Sequence, residues 1–329
     1  MRRDAKYRRN RRTYPHTKPS PISAYIAPLI DPDLYENEFA MDGETTDIAD
    51  ELVALTDSPI AIPKVLSPVA SGLKVRQNHR VIFDYSNVKD GYVMVKFIGT
   101  TDKKLKVQVA GPTTTYTYNL SVGKYETFPF SDGNGDYKVT VYENTTGTKY
   151  ATVLSLSVNV KLTDEFAPFL RPNQYVDYDN AIDVQAKAAE LCQGQIGVLD
   201  KVAAVYDWVV QNISYDKQKA KTVQSGYLPV LDNVIRTKTG ICFDYAALMA
   251  GMLRAQGVPC KLVVGYAGSA YHAWISVYSP QTGWVDDAIF FDGNKWQRMD
   301  PTFASSGNSS ESILKYIGDG SNYTVKYMY

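Results

Sequence analysis

Cysteine and histidine are the scarce residues of this chain, three of each in 329. An odd number of thiols cannot all pair, so no complete disulfide framework holds the fold and at least one thiol stays free. Neither a Cys-x-x-Cys nor a His-x-x-x-His spacing occurs, so a zinc site built on Cys242 and His272 fails on ligand count. Net charge is missing too. The 35 Lys and Arg balance 35 Asp and Glu, leaving no global field to recruit nucleic acid or anionic lipid. No apolar run reaches the ~18 residues of a membrane-spanning helix. The basic start from Met1 to Arg12 leads into no apolar stretch of a secretory signal. The expectation is a protein that stays inside the cell, or one whose signal was removed or replaced.

What is present is apolar side chain enough for a sizeable core, 44% of the chain, with 25 tyrosines. Aromatic and β-branched residues point to much sheet, and the length points to two domains. Residues 1–68 read as a basic arm, an acidic segment and a Pro-rich linker. The first 21 residues are basic and carry Pro15, Pro19 and Pro21, the composition of a solvated tail. From Pro19 to Pro63 no Lys or Arg occurs, while acidic residues accumulate between Asp31 and Asp57. Such a segment can fold back on the arm. Within it Ile48, Leu52 and Leu55 have the spacing of one short amphipathic helix, and Pro59, Pro63 and Pro68 mark the linker.

Residues 69–162 read as an all-β domain. Strands are expected at Val81–Tyr85, Val93–Phe97, Leu105–Val109, Tyr116–Leu120, Tyr125–Phe130, Tyr137–Tyr142 and Tyr150–Leu162, separated by glycine or polar turns. This is the spacing of an immunoglobulin-like β-sandwich, here without the inter-sheet disulfide of antibody domains. The turn Asp132–Tyr137 resembles the tyrosine corner of such sandwiches. The same turn carries a decoy: Asp132, Asn134, Asp136 and Glu143 match four positions of a calcium loop. Tyr137 stands where that loop needs glycine and a strand follows, so a plain β-turn is expected.

Residues 163–329 read as a second domain, entered through Pro168 and Pro172 and two helices, Ala181–Cys192 and Leu199–Ile213. One stretch organises it, Gly240 to Thr302. Ala247, Leu248, Met249, Met252 and Leu253 recur at helical spacing from Asp244 to Ala255. Gly257 and Pro259 end that helix. Cys242 therefore sits at its N-terminal end, where free backbone N–H groups and the helix dipole favour an anion, and thiolate is the attacking form of cysteine. Cys192 and Cys260 lie within apolar elements and read as buried structural thiols. The run Lys261–Tyr266 reads as a buried strand leading to a second, where His272 and Trp274 project to one face. His16 and His79 lie in segments with no thiol nearby. Asp286, Asp287, Asp292 and Asp300 all follow the histidine, and Pro301 holds Asp300 extended. A simple meander places Asp292 nearer His272. Asp300 reaches it only if residues 286–295 form a side excursion that lets 296–300 run antiparallel beside the histidine strand.

Taken in order, G-I-C-F-D-Y, R-A-Q-G-V-P, V-V-G-Y, H-A-W and W-Q-R-M-D-P-T resemble the core of the transglutaminase-like superfamily. That superfamily is similar to papain-type thiol enzymes in its Cys–His–Asp arrangement and includes transglutaminases, peptide N-glycanases and bacterial peptidases. The run Val205–Asp216 resembles its first core helix, so the resemblance covers about half the chain. It implies an α+β papain-like core, with Cys242 as nucleophile, His272 as base and Asp300 as the acid that orients the base. The interval from Trp284 to Asp300 is longer than the family's and leaves room for an inserted hairpin. Gln224 and Tyr227 are the candidates for an oxyanion donor. An extracellular or cell-surface setting is also implied.

The function expected is thiol-dependent acyl transfer on peptide or protein amides through a thioester, needing no cofactor. Hydrolysis is favoured because nothing marks a lysine-binding site. The rivals are a protein-cross-linking transglutaminase and a non-catalytic surface or scaffold protein. In the last case the β-sandwich would bind a surface or a partner protein.

Overall fold

Strict alternation of apolar and polar residues builds the first part of the fold. In this computed structural model the residues described are 63–280, 283–285, 289–291, 296–298 and 323–329. The arm, the acidic segment, the short helix expected around Leu52, and Asp286, Asp287, Asp292 and Asp300 lie outside them. The chain forms β1 (Val75–Gln77), β2 (Val81–Asp84), β3 (Tyr92–Phe97), β4 (Leu105–Ala110), β5 (Thr115–Leu120), β6 (Tyr125–Pro129), β7 (Gly135–Thr146) and β8 (Lys149–Val160). They make two four-stranded sheets, ordered β1-β2-β3-β6 and β5-β4-β7-β8, with every pairing antiparallel. Leu105, Val107 and Val109 of β4 share one buried cluster with Phe83, Val95 and Phe97. Each such side chain contributes about 1.5–3 kcal/mol by leaving water. β1 is fully exposed along its length, so it shows no alternation in the sequence.

The turn before β7 is a plain one. Asp132 accepts from the Thr113 and Thr114 N–H groups, Asn134 accepts from the Leu162 N–H, and Asp136 accepts from Asn159. These polar groups are thus committed to four different residues, Thr113, Thr114, Leu162 and Asn159. The Tyr137 hydroxyl donates to the Gly133 carbonyl, 2.9 Å away.

The second part is α+β. Helices α1 (Ile182–Cys192), α2 (Val198–Asn212), α3 (Lys217–Thr222), α4 (Leu231–Thr237) and α5 (Cys242–Ala255) follow the connector. β9 (Ser214–Tyr215) and β10 (Thr239–Gly240) pair in parallel just ahead of α5. A sheet of order β13-β12-β11-β16 comes next, from β11 (Cys260–Ala267), β12 (Ala270–Ser279), β13 (Gly283–Val285) and β16 (Tyr323–Met328). Among the described residues β14 (Ile289–Phe291) and β15 (Trp296–Arg298) pair with each other in a separate two-stranded sheet. Residues 296–298 are thus not paired with the histidine strand β12, which is the pairing expected if Asp300 is to reach His272. α5 is buried from Asp244 to Ala255, which is why its apolar residues run round the helix instead of along one stripe.

The two parts are sewn together by aromatic rings. Tyr118 of β5 stacks on Tyr175 of the connector at 5.5 Å, and Tyr116 and Tyr118 both meet Tyr329 edge-on. The Gln174 amide donates to the Asn119 carbonyl. The described residues belong to one compact unit, and one hydrophobic cluster runs from the first sheets into α5 and β12.

Candidate active site

The first turn of α5 is built from charges as well as backbone. Ile241 is extended and the helix starts at Cys242, two residues earlier than the apolar periodicity suggests. Asp244, third in the helix and fully buried, accepts from the Ile241 N–H at 2.8 Å. It thereby satisfies a backbone donor at the helix start. The same carboxylate accepts from Lys219 Nζ at 2.7 Å and from the Tyr227 hydroxyl at 2.5 Å. A buried carboxylate is tolerable here because a cation and two further donors face it. Lys219 is held in turn by α3, whose cap Asp216 accepts from the Lys219 N–H. Gly240 is required by space, since a Cβ there would lie 2.7 Å from the Asp244 Cβ. Lys219 and Asp244 were not singled out by sequence. The available signal was an acid at the third helix position, which also fits an ordinary first turn.

Cys242 is half-buried, whereas Cys192 and Cys260 are buried as expected. Burial pushes the Cys260 thiol up to about 12 and raises that of Cys192. His272 pairs with Gly265 across β11 and β12. Ala273, Ile275 and Val277 enter the core shared with α5, so the alternation turns His272 and Trp274 the other way. The imidazole lies nearly parallel to the Trp274 ring and meets Tyr323 edge-on, both at 6.3 Å.

Cys242 and His272 nevertheless border one cavity of about 480 Å³. Tyr175, Tyr227, Phe243 and Tyr271 also line it. The Tyr175 hydroxyl is pushed up to about 12 by burial, Tyr271 is raised chiefly by burial, and Tyr227 is held well above its usual value by burial and by Asp244. The walls are therefore neutral at ordinary pH. Gln224 and Tyr227 both reach the cavity. Their polar groups are engaged elsewhere, Gln224 donating to the Thr222 carbonyl and Tyr227 to Asp244. Trp274 is buried beside the histidine, while Trp284 pairs with Tyr278 near the opposite end of β12 and packs on Phe166 and Phe169. Neither tryptophan is a cavity wall among the described residues.

The second part of the chain is thus an α+β domain with a half-buried thiol at the mouth of a buried helix, opening on a cavity that a strand histidine shares. Residues 185–301 match the transglutaminase-like superfamily, and this part of the chain is a domain of that superfamily. Kyphoscoliosis peptidase of Mus musculus is 30% identical over 118 residues, 36% of this chain and 17% of that protein. Protein-glutamine gamma-glutamyltransferase of Pseudomonas aeruginosa is 34% identical over 68 residues, 16% of this chain and 10% of that protein. A solved Cytophaga hutchinsonii structure, described as a candidate cysteine protease, is 17% identical over 78% of this chain and 74% of that one, with a TM-score of 0.36. The chain spans about a sixth of the length of the first curated relatives it matches, 16% and 17%.

Proposed function

We propose that this protein is a thiol-dependent acyl-transfer enzyme acting on peptide or protein amides, with Cys242 as nucleophile, His272 as base and Asp300 as the residue that orients the base. The observation that carries the reading is the meeting of Cys242, at the start of α5, with His272 on one cavity. The Cys242 sulfur anion attacks the amide carbon, and the carbonyl electron pair moves to oxygen, facing the backbone N–H groups of the helix start. Collapse of that adduct breaks the C–N bond. The His272 imidazolium gives its proton to the departing amine and leaves a neutral ring and a thioester. His272 then takes a proton from water, whose oxygen attacks the thioester, and the carboxylic acid departs as the sulfur anion re-forms. A lysine amine in place of water would give cross-linking. Hydrolysis is preferred because no charged side chain that would hold a lysine ammonium lines the cavity among the described residues.

Asp300 is assigned through the W-x-x-x-D-P-T segment, in preference to Asp292. The choice rests on the motif alone, because β15 pairs with β14 and not with the histidine strand. Asp300→Asn is expected to lower turnover by ~10⁴-fold, as in the serine-enzyme counterpart, while Asp292→Asn changes little. For the first part of the chain we favour an immunoglobulin-like sandwich over residues 69–162. The bond from the Tyr137 hydroxyl to the Gly133 carbonyl supports it, being the contact of a tyrosine corner. Alkylation tests the central reading. Cys242 should react with iodoacetamide faster than a free model thiol; a rate no faster supports a non-catalytic scaffold instead.

A further inference from the structure

We infer that the cavity beside Cys242 is an aromatic subsite that selects acyl donors carrying an uncharged aromatic side chain next to the attacked carbonyl. The inference rests on the acyl-transfer reading above. Phe243 follows the nucleophile directly in sequence and is flanked by two rings, Tyr175 at 5.6 Å and Tyr227 at 6.5 Å. Both are fixed from behind. Tyr175 is stacked on Tyr118 of β5 and packed on Tyr329 at 4.4 Å, while the Tyr227 hydroxyl is bonded to Asp244 and Lys219. The loop that carries Tyr227 is pinned as well. The Asn119 amide donates to the Gly226 carbonyl, and Gly226 has φ +90°, a conformation that favours glycine. Walls fixed in this way lose little entropy when a substrate ring packs against them from the cavity.

Charge on the entering side chain is disfavoured in both signs. Among the described residues no Asp, Glu, Lys or Arg lines the cavity, and in the proposed mechanism the His272 imidazolium is already paired with the Cys242 sulfur anion, so an incoming carboxylate loses its hydration without gaining a free counter-ion. Aromatic faces attract cations, but the Lys219 ammonium already stands over the Tyr227 ring, 4.4 Å from its centre. A second ammonium on that ring meets like charge. Because Tyr118 and Asn119 belong to β5, the first β-rich part of the chain takes part in specificity without touching the substrate.

The test is a set of peptidyl chloromethyl ketones, alike except for the residue next to the electrophile, which is Phe, Tyr, Glu or Lys. In each, the Cys242 sulfur forms a C–S bond as the C–Cl bond breaks and chloride leaves. Iodoacetamide serves as a size-independent control, and the full chain is used throughout. Labelling by the Phe and Tyr probes is expected to be at least ~10-fold faster than by the Glu or Lys probes, the discrimination that one apolar pocket supplies. In Tyr175→Ala that ratio should fall towards unity, and Tyr175→Phe should restore it. Equal rates in the parent protein, or a preference for a charged probe, overturn the inference. If iodoacetamide still labels Cys242 in that case, the thiol-enzyme reading stands. If neither iodoacetamide nor any probe labels Cys242, both readings fail. Should Tyr175→Ala not fold, the parental ratio decides alone.

Discussion

Replacing Lys219 by methionine removes the cation that faces the buried Asp244. Methionine keeps much of the apolar stem and loses the ammonium 2.7 Å from the carboxylate. Removing one partner of a fully buried pair costs about 3–5 kcal/mol. Two features reduce that here. The Lys219 side chain is 29% exposed, so water reaches the pair, and the carboxylate keeps its bonds from Tyr227 and the Ile241 N–H. A loss of ~2 kcal/mol is expected. In a unit of this size it corresponds to a melting temperature lower by roughly 4–8 °C. Urea unfolding of the full chain reads it directly as a shift in midpoint. The carboxylate left without its cation also opposes an anionic sulfur two residues away, so alkylation of Cys242 should slow. Adding Asp244→Asn to Lys219→Met should recover about half the stability, because the uncompensated charge is gone. A loss below ~0.5 kcal/mol with an unchanged alkylation rate would refute the reasoning.

Arg254 is buried and donates to the carbonyls of Cys260, Arg171 and Tyr329, at 2.9, 2.9 and 2.6 Å. Arg254→Met takes a donor from three carbonyls, of which Tyr329 keeps the Leu262 N–H, and should cost ~2–3 kcal/mol, read by urea unfolding. Gly226→Ala places a Cβ 2.8 Å from the Asn119 amide at positive φ. It should cost ~1–2 kcal/mol in thermal unfolding and weaken the aromatic preference of Cys242 labelling. The Cys260 thiol is raised by burial from 9.0 to about 12. The stability it contributes is therefore present below the ordinary thiol value and lost as pH rises towards about 12. Unfolding curves of Cys260→Ala should fall less steeply over that alkaline range than those of the parent. Peptide mapping after native alkylation should find Cys192 and Cys260 unlabelled until the chain is unfolded, since both are buried.

The legible parts of this molecule are those whose side chains repeat with a period. β4 and β5 alternate buried and open residues, and α5 packs its apolar residues at helical spacing. Cys242 and His272 can be singled out as candidates because each stands at a recognisable place on such an element. Short elements with polar composition were not found. α3 is Lys-Gln-Lys-Ala-Lys-Thr and buries no residue, and α4 ends in a left-handed Lys238 that no composition announces. The frame around the helix start was also hidden, because Lys219, Tyr227 and Asp244 meet only after three separate segments have folded. The aromatic seam of Tyr118, Tyr175 and Tyr329 joins regions far apart in sequence. No local pattern encodes it. Yet it ties the first β-rich part to the cavity wall.

The central claim is that Cys242 carries acyl transfer on amides, and one comparison tests it most directly. The full chain and its Cys242→Ala variant are each incubated with a mixed protein extract, and the products are read by mass spectrometry. Alanine at a half-buried helix start costs little packing, so the variant should keep its unfolding midpoint. The account predicts new peptide termini with the parent protein and none with the variant. Deamidated glutamines or isopeptide links in place of termini would redirect the reaction to glutamine hydrolysis or cross-linking. Identical products from the parent and from a folded Cys242→Ala variant would contradict the claim.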